Sequence, residues 1–472
     1  MGLLLMIEGV FLFLSFFVSL YFNQNDKFAL GITALICFVI GITLWVVTKN
    51  APKNIGKRDG YIIVSMVWVV FSMFGALPFV ISGAIPSYTN AFFETISGFT
   101  TTGASILNDI ETMPHGLLFW RSLTQWLGGM GIIVLSLAIL PIFGIGGMQL
   151  FVAEVPGPTP DKLHPRIKET AKRLWIIYIG FTFAETILLK IGGMTWFDAI
   201  NHSFTTMATG GFSTKQASIA HFQSPFIHYV IIFFMFLAGT NFTLSYYALH
   251  FKFGKVFKNE EFRYYFGFIT FYTIIIAGTI WYFEGYHLEK SFRDSLFQVV
   301  SIITTTGFVT ADYLIWVPFI SVMFFSLMFF GGSAGSTGGS VKIIRVMLLL
   351  KNSYLELKRM IHPNAVIPVR INKKSVPQQI ITNVLAFVVI YMLITIISTI
   401  VISAMGYDLE TSVGAVAATL GNIGPGIGQV GPVENYEQFP VFGKWFLSFL
   451  MLIGRLELFT VLLLFSPAFW RK

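Results

Sequence analysis

Four short stretches constrain this chain more than anything else in it: Thr101-Thr102-Gly103-Ala104, Ala208-Thr209-Gly210-Gly211, Thr305-Thr306-Gly307-Phe308 and Asn422-Ile423-Gly424-Pro425. Each lies between two long apolar runs. Each follows a segment of about a dozen residues, too short to cross a bilayer, that starts near Asn90, Asp198, Asp294 or Glu410. Backbone that is not helical is tolerated at membrane depth only where protein buries it or where it lines a watery cavity. Four such loops in four corresponding places read as four walls of one pore, with main-chain carbonyls facing a shared axis.

Composition supplies the setting. The 472 residues are 55% hydrophobic and 11% charged, with a mean hydropathy of +0.74. That balance excludes a soluble domain of this size and specifies a polytopic protein of the lipid bilayer. Cys37 is the one cysteine, which excludes a disulfide framework and a cysteine metal site. The first twenty residues lack the basic start of a cleaved signal and read as the first span.

The net charge of +8 follows from topology. Of the 31 Lys and Arg, 23 fall in 49–58, 162–173, 252–263, 342–374 and 471–472; seven (Lys27, Arg121, Lys190, Lys215, Lys290, Arg293, Lys444) fall on the other side of the spans. Such a bias places both termini in the cytoplasm and requires no nucleic-acid partner.

Residues 1–50 form an N-terminal transmembrane hairpin, with runs 3–22 and 29–48. Four pore repeats follow, at 51–150, 151–255, 256–360 and 361–472. Each has the order span, half-helix, glycine loop, span: 61–81, 90–101, 116–140; 172–192, 197–208, 226–249; 264–284, 292–304, 316–350; 378–405, 409–421, 441–465. Alignment on Gly103, Gly210, Gly307 and Gly424 gives separations of 107, 97 and 117. The repeats all start on one side, so they are parallel repeats about an axis along the membrane normal. The expected fold class is an all-α polytopic membrane protein, with four pseudo-symmetric span–pore-helix–span repeats around one central pore plus the hairpin. Residues 142–171, rich in Gly and Pro, are expected to be an irregular loop. Residues 351–377, basic and punctuated by Pro363, Pro368 and Pro377, are a candidate docking surface.

A cation entering a membrane must lose water, and carbonyl rings can replace it. The residues expected to form them are Thr101, Thr102 and Gly103; Ala208, Thr209 and Gly210; Thr305, Thr306 and Gly307; and Asn422, Ile423 and Gly424. Threonine hydroxyls add an inner ring. Glycine lets the loop turn carbonyls inward at a crowded axis. Half-helix C-termini aimed at the bilayer centre add partial negative charge. No carboxylate occupies these positions, which favours a monovalent ion over a hard divalent one.

A second stretch, Gly331-Gly332-Ser333-Ala334-Gly335-Ser336-Thr337-Gly338-Gly339-Ser340, interrupts the last span of the third repeat and of no other. It cannot make a stable lipid-facing helix and is expected to be a movable gate below the filter. It holds a G-x-S-x-G match at Ser333, leaving an intramembrane serine hydrolase as an alternative that would need a histidine from another span. A non-transporting scaffold is a third class. Arg455 is a charge in the middle of the last span, and such a charge faces the interior or a cavity. Glu457, two residues on, points to a different helix face and is not expected to pair with it. The histidines show no metal-ligand spacing.

With Gln125-Trp126-Leu127-Gly128-Gly129-Met130-Gly131 and Gly454-Arg455-Leu456-Glu457 added to these loops, the chain resembles the Trk/Ktr/HKT superfamily of potassium transporters along its whole length. Within it the chain is most similar to the bacterial Trk membrane subunit. The resemblance implies a location in a bacterial inner membrane, K⁺ as the transported ion, no organic cofactor in this chain, a homodimer, and a cytosolic nucleotide-binding regulatory subunit of the Trk-A type. It also implies gating by 331–340 and a pore-blocking role for Arg455. In plant relatives a Ser at the first filter glycine accompanies sodium transport; Gly103 here implies K⁺. The fourth loop departs from the Thr pattern, with Asn422-Ile423 before Gly424. Passive, channel-like uptake is the expected mechanism, with Na⁺- or H⁺-coupled symport left open.

Overall fold

Long apolar runs satisfy their backbone internally by becoming helices, and the computed structural model shows this throughout. It describes residues 1–49, 56–134 and 167–471. Among these the only sheet is the two-stranded hairpin Arg370–Ile371 and Lys374–Ser375. Among the described residues six helices are long and apolar enough to cross a membrane: Gly2–Tyr21, Lys27–Val47, Arg58–Ile81, Lys172–Ile191, Glu260–Phe283 and Gln378–Ser403. Two sharply bent pairs raise the number to eight.

The N-terminal hairpin packs through small residues. A Cβ on Gly2 or on Gly41 would strike the other's carbonyl oxygen closer than 3.0 Å, so the two backbones touch there as small residues allow. Its tip then caps a helix in the first repeat. Asp26 accepts a hydrogen bond from Leu117 N–H at 3.0 Å, and Gln24 Oε1 accepts one from His115 N–H at 2.6 Å. These are orphan donors at the start of His115–Val134.

The repeats show the expected element order. Their half-helices are Tyr88–Phe99, Trp196–Met207, Leu288–Ile303 and Leu409–Leu420. A 12-residue helix is about 18 Å long, roughly half of a hydrocarbon core. Thr195 starts the second by accepting from Asp198 N–H at 3.0 Å, and Asp408 starts the fourth by accepting from Thr411 N–H at 2.8 Å. The third begins at Leu288 rather than 292, so Asp294 sits in its second turn instead of at its start.

Two apolar cores flank the loops. One joins the hairpin with repeats one and four, the other joins repeats two and three. Ala104 belongs to the first and Phe308 to the second, so the glycine loops run along the seam.

Three second spans are broken where a single break was expected. Beyond the interruption between Pro318–Leu327 and Ile343–Ile361, the second repeat bends by 112° between Pro225–Ala238 and Phe242–Leu249. The fourth bends by 113° between Val441–Arg455 and Phe459–Phe465. At the first of these, Asn241 caps the new helix by accepting from Thr243 N–H at 2.8 Å, a local bond that competes with helix continuation. At the second, Glu457 and Leu458 turn left-handed, with φ of 55° and 50°. The basic connection after the third repeat is folded: Ile343–Ile361 runs on as helix, and Lys351 donates to Arg370 C=O at 3.0 Å. Most of the 142–171 connection, the end of the 116–140 span and most of the 49–58 linker lie outside the described residues; 167–171, expected in an irregular loop, already belong to the helix Ile167–Ile191.

Candidate cation pathway

All four half-helices end in the same way. Thr101 N–H donates to Gly98 C=O at 2.9 Å and Thr102 N–H to Ser97 C=O at 2.8 Å; Thr209 and Gly210 do the same to Thr206 and Thr205. Thr305 and Thr306 repeat it with Ile302 and Ser301, and Asn422 and Ile423 with Thr419 and Ala418. This is the Schellman arrangement, in which the residue just past the helix is left-handed and usually glycine. Here that residue is Thr101, Thr209, Thr305 or Asn422, with φ of 52°, 54°, 58° and 54°. A branched side chain in this region is strained by about 1–2 kcal/mol.

Two residues further on comes a left-handed glycine: Gly103, Gly211, Gly307 and Gly424, at 81°, 76°, 79° and 98°. This corrects the register of the second loop. The counterpart of Gly103, Gly307 and Gly424 is Gly211, not Gly210, and Ala208 lies on the helix cap, one place before the loop proper. Thr209-Gly210-Gly211 therefore matches Thr101-Thr102-Gly103. Adjacent glycines concealed the shift, because only the backbone angle tells them apart.

The four loops close a ring. A Cβ built on Gly103 would run into Gly210 C=O of the second loop, and one on Gly211 into Thr306 C=O of the third. One on Gly307 would run into Ile423 C=O of the fourth, and one on Gly424 would lie 2.7 Å from Thr102 C=O of the first. Each is closer than real Cβ atoms approach, so only glycine fits at each step. Repeat one touches two, two touches three, three touches four and four returns to one.

Inside this ring the carbonyls are largely unclaimed. Among the twelve at 101–103, 209–211, 305–307 and 422–424, only Gly210 and Gly424 accept a hydrogen bond from a described residue. Thr101, Thr102, Thr305, Thr306, Asn422 and Ile423 are nonetheless buried. Buried backbone carbonyls without partners are costly, and these follow the negative ends of four half-helices, where positive charge is favoured.

Side chains hold the loops from outside. Gln125 Nε2 donates to Gly210 C=O at 2.6 Å while its Oε1 accepts from Phe212 N–H at 3.0 Å, clamping the second loop from a helix of the first repeat. Seven residues before each left-handed Thr stands a polar prop. Glu94 accepts from Ser105 and from Ile106 N–H, His202 bonds Ser213 at 2.9 Å, and Gln298 donates to Ala311 C=O at 3.1 Å. Ala415 holds the corresponding place in the fourth repeat. There Tyr436 and Tyr313 take over, donating to Gly424 and Gly426 carbonyls at 2.8 and 2.7 Å. Arg121, expected as an outer-side charge, is buried: its Nε pairs with Glu94 at 2.6 Å and its Nη1 donates to Ser213 C=O at 3.0 Å. None of these props was singled out by role in the sequence. A polar residue recurring seven places ahead of the first three loops was the available signal.

The glycine-rich segment lies against the inner end of the ring. Gly339 N–H donates to Thr305 Oγ1 at 2.7 Å, and Thr337 Oγ1 meets Thr209 Oγ1 at 3.3 Å. A Cβ on Gly338 would meet Thr304 C=O, and one on Gly339 would meet Gly421 C=O and Asn422. The segment therefore touches three of the four repeats at their left-handed residues. Its other limb docks on the break in the second repeat, with Ser333 N–H donating to Gly239 C=O at 2.8 Å and Gly335 C=O accepting from Phe242 N–H at 3.2 Å. Gly331 N–H returns to Val341 C=O at 2.8 Å, and Gly332 C=O accepts from Ile343 N–H at 3.2 Å, closing the base of the loop. Ser340 Oγ donates to Met328 C=O at 2.9 Å, Ser336 Oγ accepts from Lys342 at 3.4 Å, and Ala334 N–H donates to Glu261 at 2.6 Å.

Arg455 reaches this segment. Its Nη1 donates to Thr337 C=O at 2.7 Å and its Nη2 to Gly128 C=O at 3.0 Å. Glu457 turns away and pairs with Arg345 at 2.7 Å, so the two neighbours do not pair. Ser333 Oγ has no hydrogen-bond partner among the described residues, and His202 is engaged with Ser213 and Asp198. No group of three or more His, Cys, Asp or Glu able to hold a metal occurs among the described residues.

Known proteins match this architecture end to end. The family model described as TrkH, a cation transport protein, matches residues 26–472. The Trk system potassium uptake protein TrkH of Salmonella typhimurium is 42% identical, covering 100% of this chain and 98% of its own length. TrkG of Escherichia coli, a second Trk system potassium uptake protein, is 36% identical over 96% of this chain and 94% of its own. The crystal structure of the potassium transporter TrkH from Vibrio parahaemolyticus superposes with a TM-score of 0.89 at 38% identity, covering 100% of this chain and 98% of that one.

Proposed function

The chain belongs to the TrkH family of cation transport proteins, and on that footing we propose that it carries K⁺ across the bacterial inner membrane as the pore-forming subunit of a Trk uptake system. The observation that carries the reading is the closed ring of four left-handed loops with their unclaimed carbonyls. K⁺ sheds water at the outer side, is coordinated by the carbonyls at 101–103, 209–211, 305–307 and 422–424, and moves passively down its electrochemical gradient. Both termini face the cytoplasm, as the side carrying most of the Lys and Arg does.

The segment 331–340 and Arg455 form the gate. The segment stops the inner mouth, and the guanidinium of Arg455 holds it through Thr337 while adding a positive charge on the cation's path. Opening is under the control of a cytosolic nucleotide-binding subunit, and the working unit is a dimer, as the family resemblance implies. The test is uptake of K⁺ or Rb⁺ into liposomes holding the purified chain, together with growth at low external K⁺ of cells stripped of their own uptake systems. Arg455→Ala should raise flux about tenfold, which is 1.36 kcal/mol off the barrier. Wild type without flux, or a variant with unchanged flux, counts against the pore and the gate respectively. Reversal potentials that follow an imposed Na⁺ or pH gradient would replace passive conduction with symport.

A further inference from the structure

Apart from the ring loops, the short helix Phe253–Phe257, the first turn of Glu260–Phe283 and the hairpin turn Asn372-Lys373 line a cleft of about 870 Å³. Lys252, Lys255, Lys258, Arg263 and Lys373 line it. Glu260 is the one acid in the lining, and Lys351 already pairs with it. None of the five cations has an ion-pair partner among the described residues. Topology accounts for their side of the membrane. It does not account for five of them converging on one concavity whose single carboxylate is already paired elsewhere.

The hairpin adds an independent observation. Asn372 and Lys373 have φ of 48° and 67°, the two left-handed positions of a type I′ turn, where Asn-Gly is the relaxed choice. Here a lysine stands where glycine would remove the strain. Asn372 Oδ1 accepts from Glu260 N–H at 2.9 Å and pins the turn to the helix start. The strained lysine is itself one of the residues lining the cleft, and strain of this kind collects at ligand clamps. Exposed aromatics surround the site: Phe251 is 85% exposed, Phe257 64% and Phe253 49%. Lysines beside exposed phenylalanines at a membrane border suit an anionic headgroup above acyl chains. A free anion would have no use for the rings.

We propose that this cleft binds the headgroup of an anionic phospholipid, with its phosphate held by Lys255, Lys258 and Lys373. Occupancy bears on the gate. Glu260 is tied to the hairpin, while the adjacent Glu261 accepts from Ala334 N–H of the glycine-rich segment at 2.6 Å. A headgroup that fixes the hairpin against the helix start also fixes this anchor of the segment.

The test uses the full chain, purified in detergent and in nanodiscs of phosphatidylglycerol or of phosphatidylcholine. Co-purified and re-added phosphatidylglycerol is counted by native mass spectrometry. K373G relaxes the turn, so loss of fold does not explain a change in it; K255A/K258A is the second variant. Retained phosphatidylglycerol should fall about fivefold for each ammonium removed, and phosphatidylcholine should not change. Unchanged retention in both variants overturns the site. Equal occupancy by inorganic phosphate alone, displacing the lipid at millimolar concentration, overturns the lipid and assigns the cleft to a soluble phosphate. The link to the gate rests on the transport reading and has its own readout. Flux of the wild type should differ severalfold between the two lipids, and that of K373G should not. A lipid-insensitive wild type defeats the link, and a wild type without flux in either lipid defeats the transport reading; the retention result stands apart from both.

Discussion

Threonine at positive φ is costly because its branched Cβ crowds the backbone, yet Thr101, Thr209 and Thr305 all take that conformation. The same pattern, a left-handed residue followed two places later by a left-handed glycine, recurs in all four loops. Gly211 and Gly210 separate this role from mere smallness. A Cβ on Gly211 needs an unfavourable φ and strikes Thr306 C=O of the next loop; the nearest atoms to a Cβ on Gly210 belong to the Gln125 side chain, which would have to give way from its clamp while the backbone φ stays allowed. Gly211→Ala should therefore reduce the K⁺ over Na⁺ permeability ratio in liposomes by about tenfold or more, and Gly210→Ala by much less. Equal effects would return the register to Gly210. Gln125→Ala leaves Gly210 C=O and Phe212 N–H without their clamp, a loss of about 1–3 kcal/mol for the buried groups. It should lower thermal stability and selectivity together, whereas a substitution outside the clamp lowers the first alone. The loops were legible in the sequence because glycine beside threonine between apolar runs has few other uses. The second loop's register was not, because two glycines in succession carry no mark of which one is left-handed.

Half-helices succeed only if both ends are settled, since 12 residues make a marginal helix on their own. Their inner ends are held by the Schellman bonds; an outer end can be probed at Asp408. Thr411, through its hydroxyl and its N–H, holds the Asp408 carboxyl below the usual carboxylate range. A depressed value means stability that is present above the unfolded value and lost as pH falls through the folded one. Thermal melts of wild type and Asp408→Asn should converge as pH drops below about 4 and separate above it. Asp408→Ala should cost about 1 kcal/mol at neutral pH as an ordinary cap loss. A gap independent of pH would remove Asp408 from the list of charged caps. Breaks between elements were less legible than caps. The glycine-rich break announces itself by composition. The break after Arg455 has neither Gly nor Pro between Leu456 and Leu458. It is imposed from a distance, by Glu457 pairing with Arg345 and by Arg455 holding Thr337 and Gly128. Tertiary bonds of that kind leave no local trace.

At the scale of the molecule, closure is the consequential feature. The fourth loop returns to the first across some 320 residues of chain, where Asn422 Nδ2 donates to Thr102 Oγ1 at 2.9 Å. The two apolar cores, built from repeats one and four and from two and three, meet at these loops. On the proposed reading, an ion held by the ring would be shared by both cores and by all four repeats, and would be absent from the unfolded chain. Ligand that binds only the folded state stabilises it by RT ln(1 + [L]/Kd), about 2.7 kcal/mol at a hundredfold excess over Kd. Melting in detergent should accordingly shift upward in KCl relative to NaCl or LiCl at equal ionic strength. Gly103→Ala, Gly211→Ala, Gly307→Ala and Gly424→Ala should each erase most of that difference, because each opens one link of the same ring. A K⁺-specific shift that survives all four substitutions would place the ion outside the ring. A shift lost in some variants and kept in others would mean that the loops coordinate it unequally, with the fourth, where Asn422-Ile423 replaces the threonines, the first to examine.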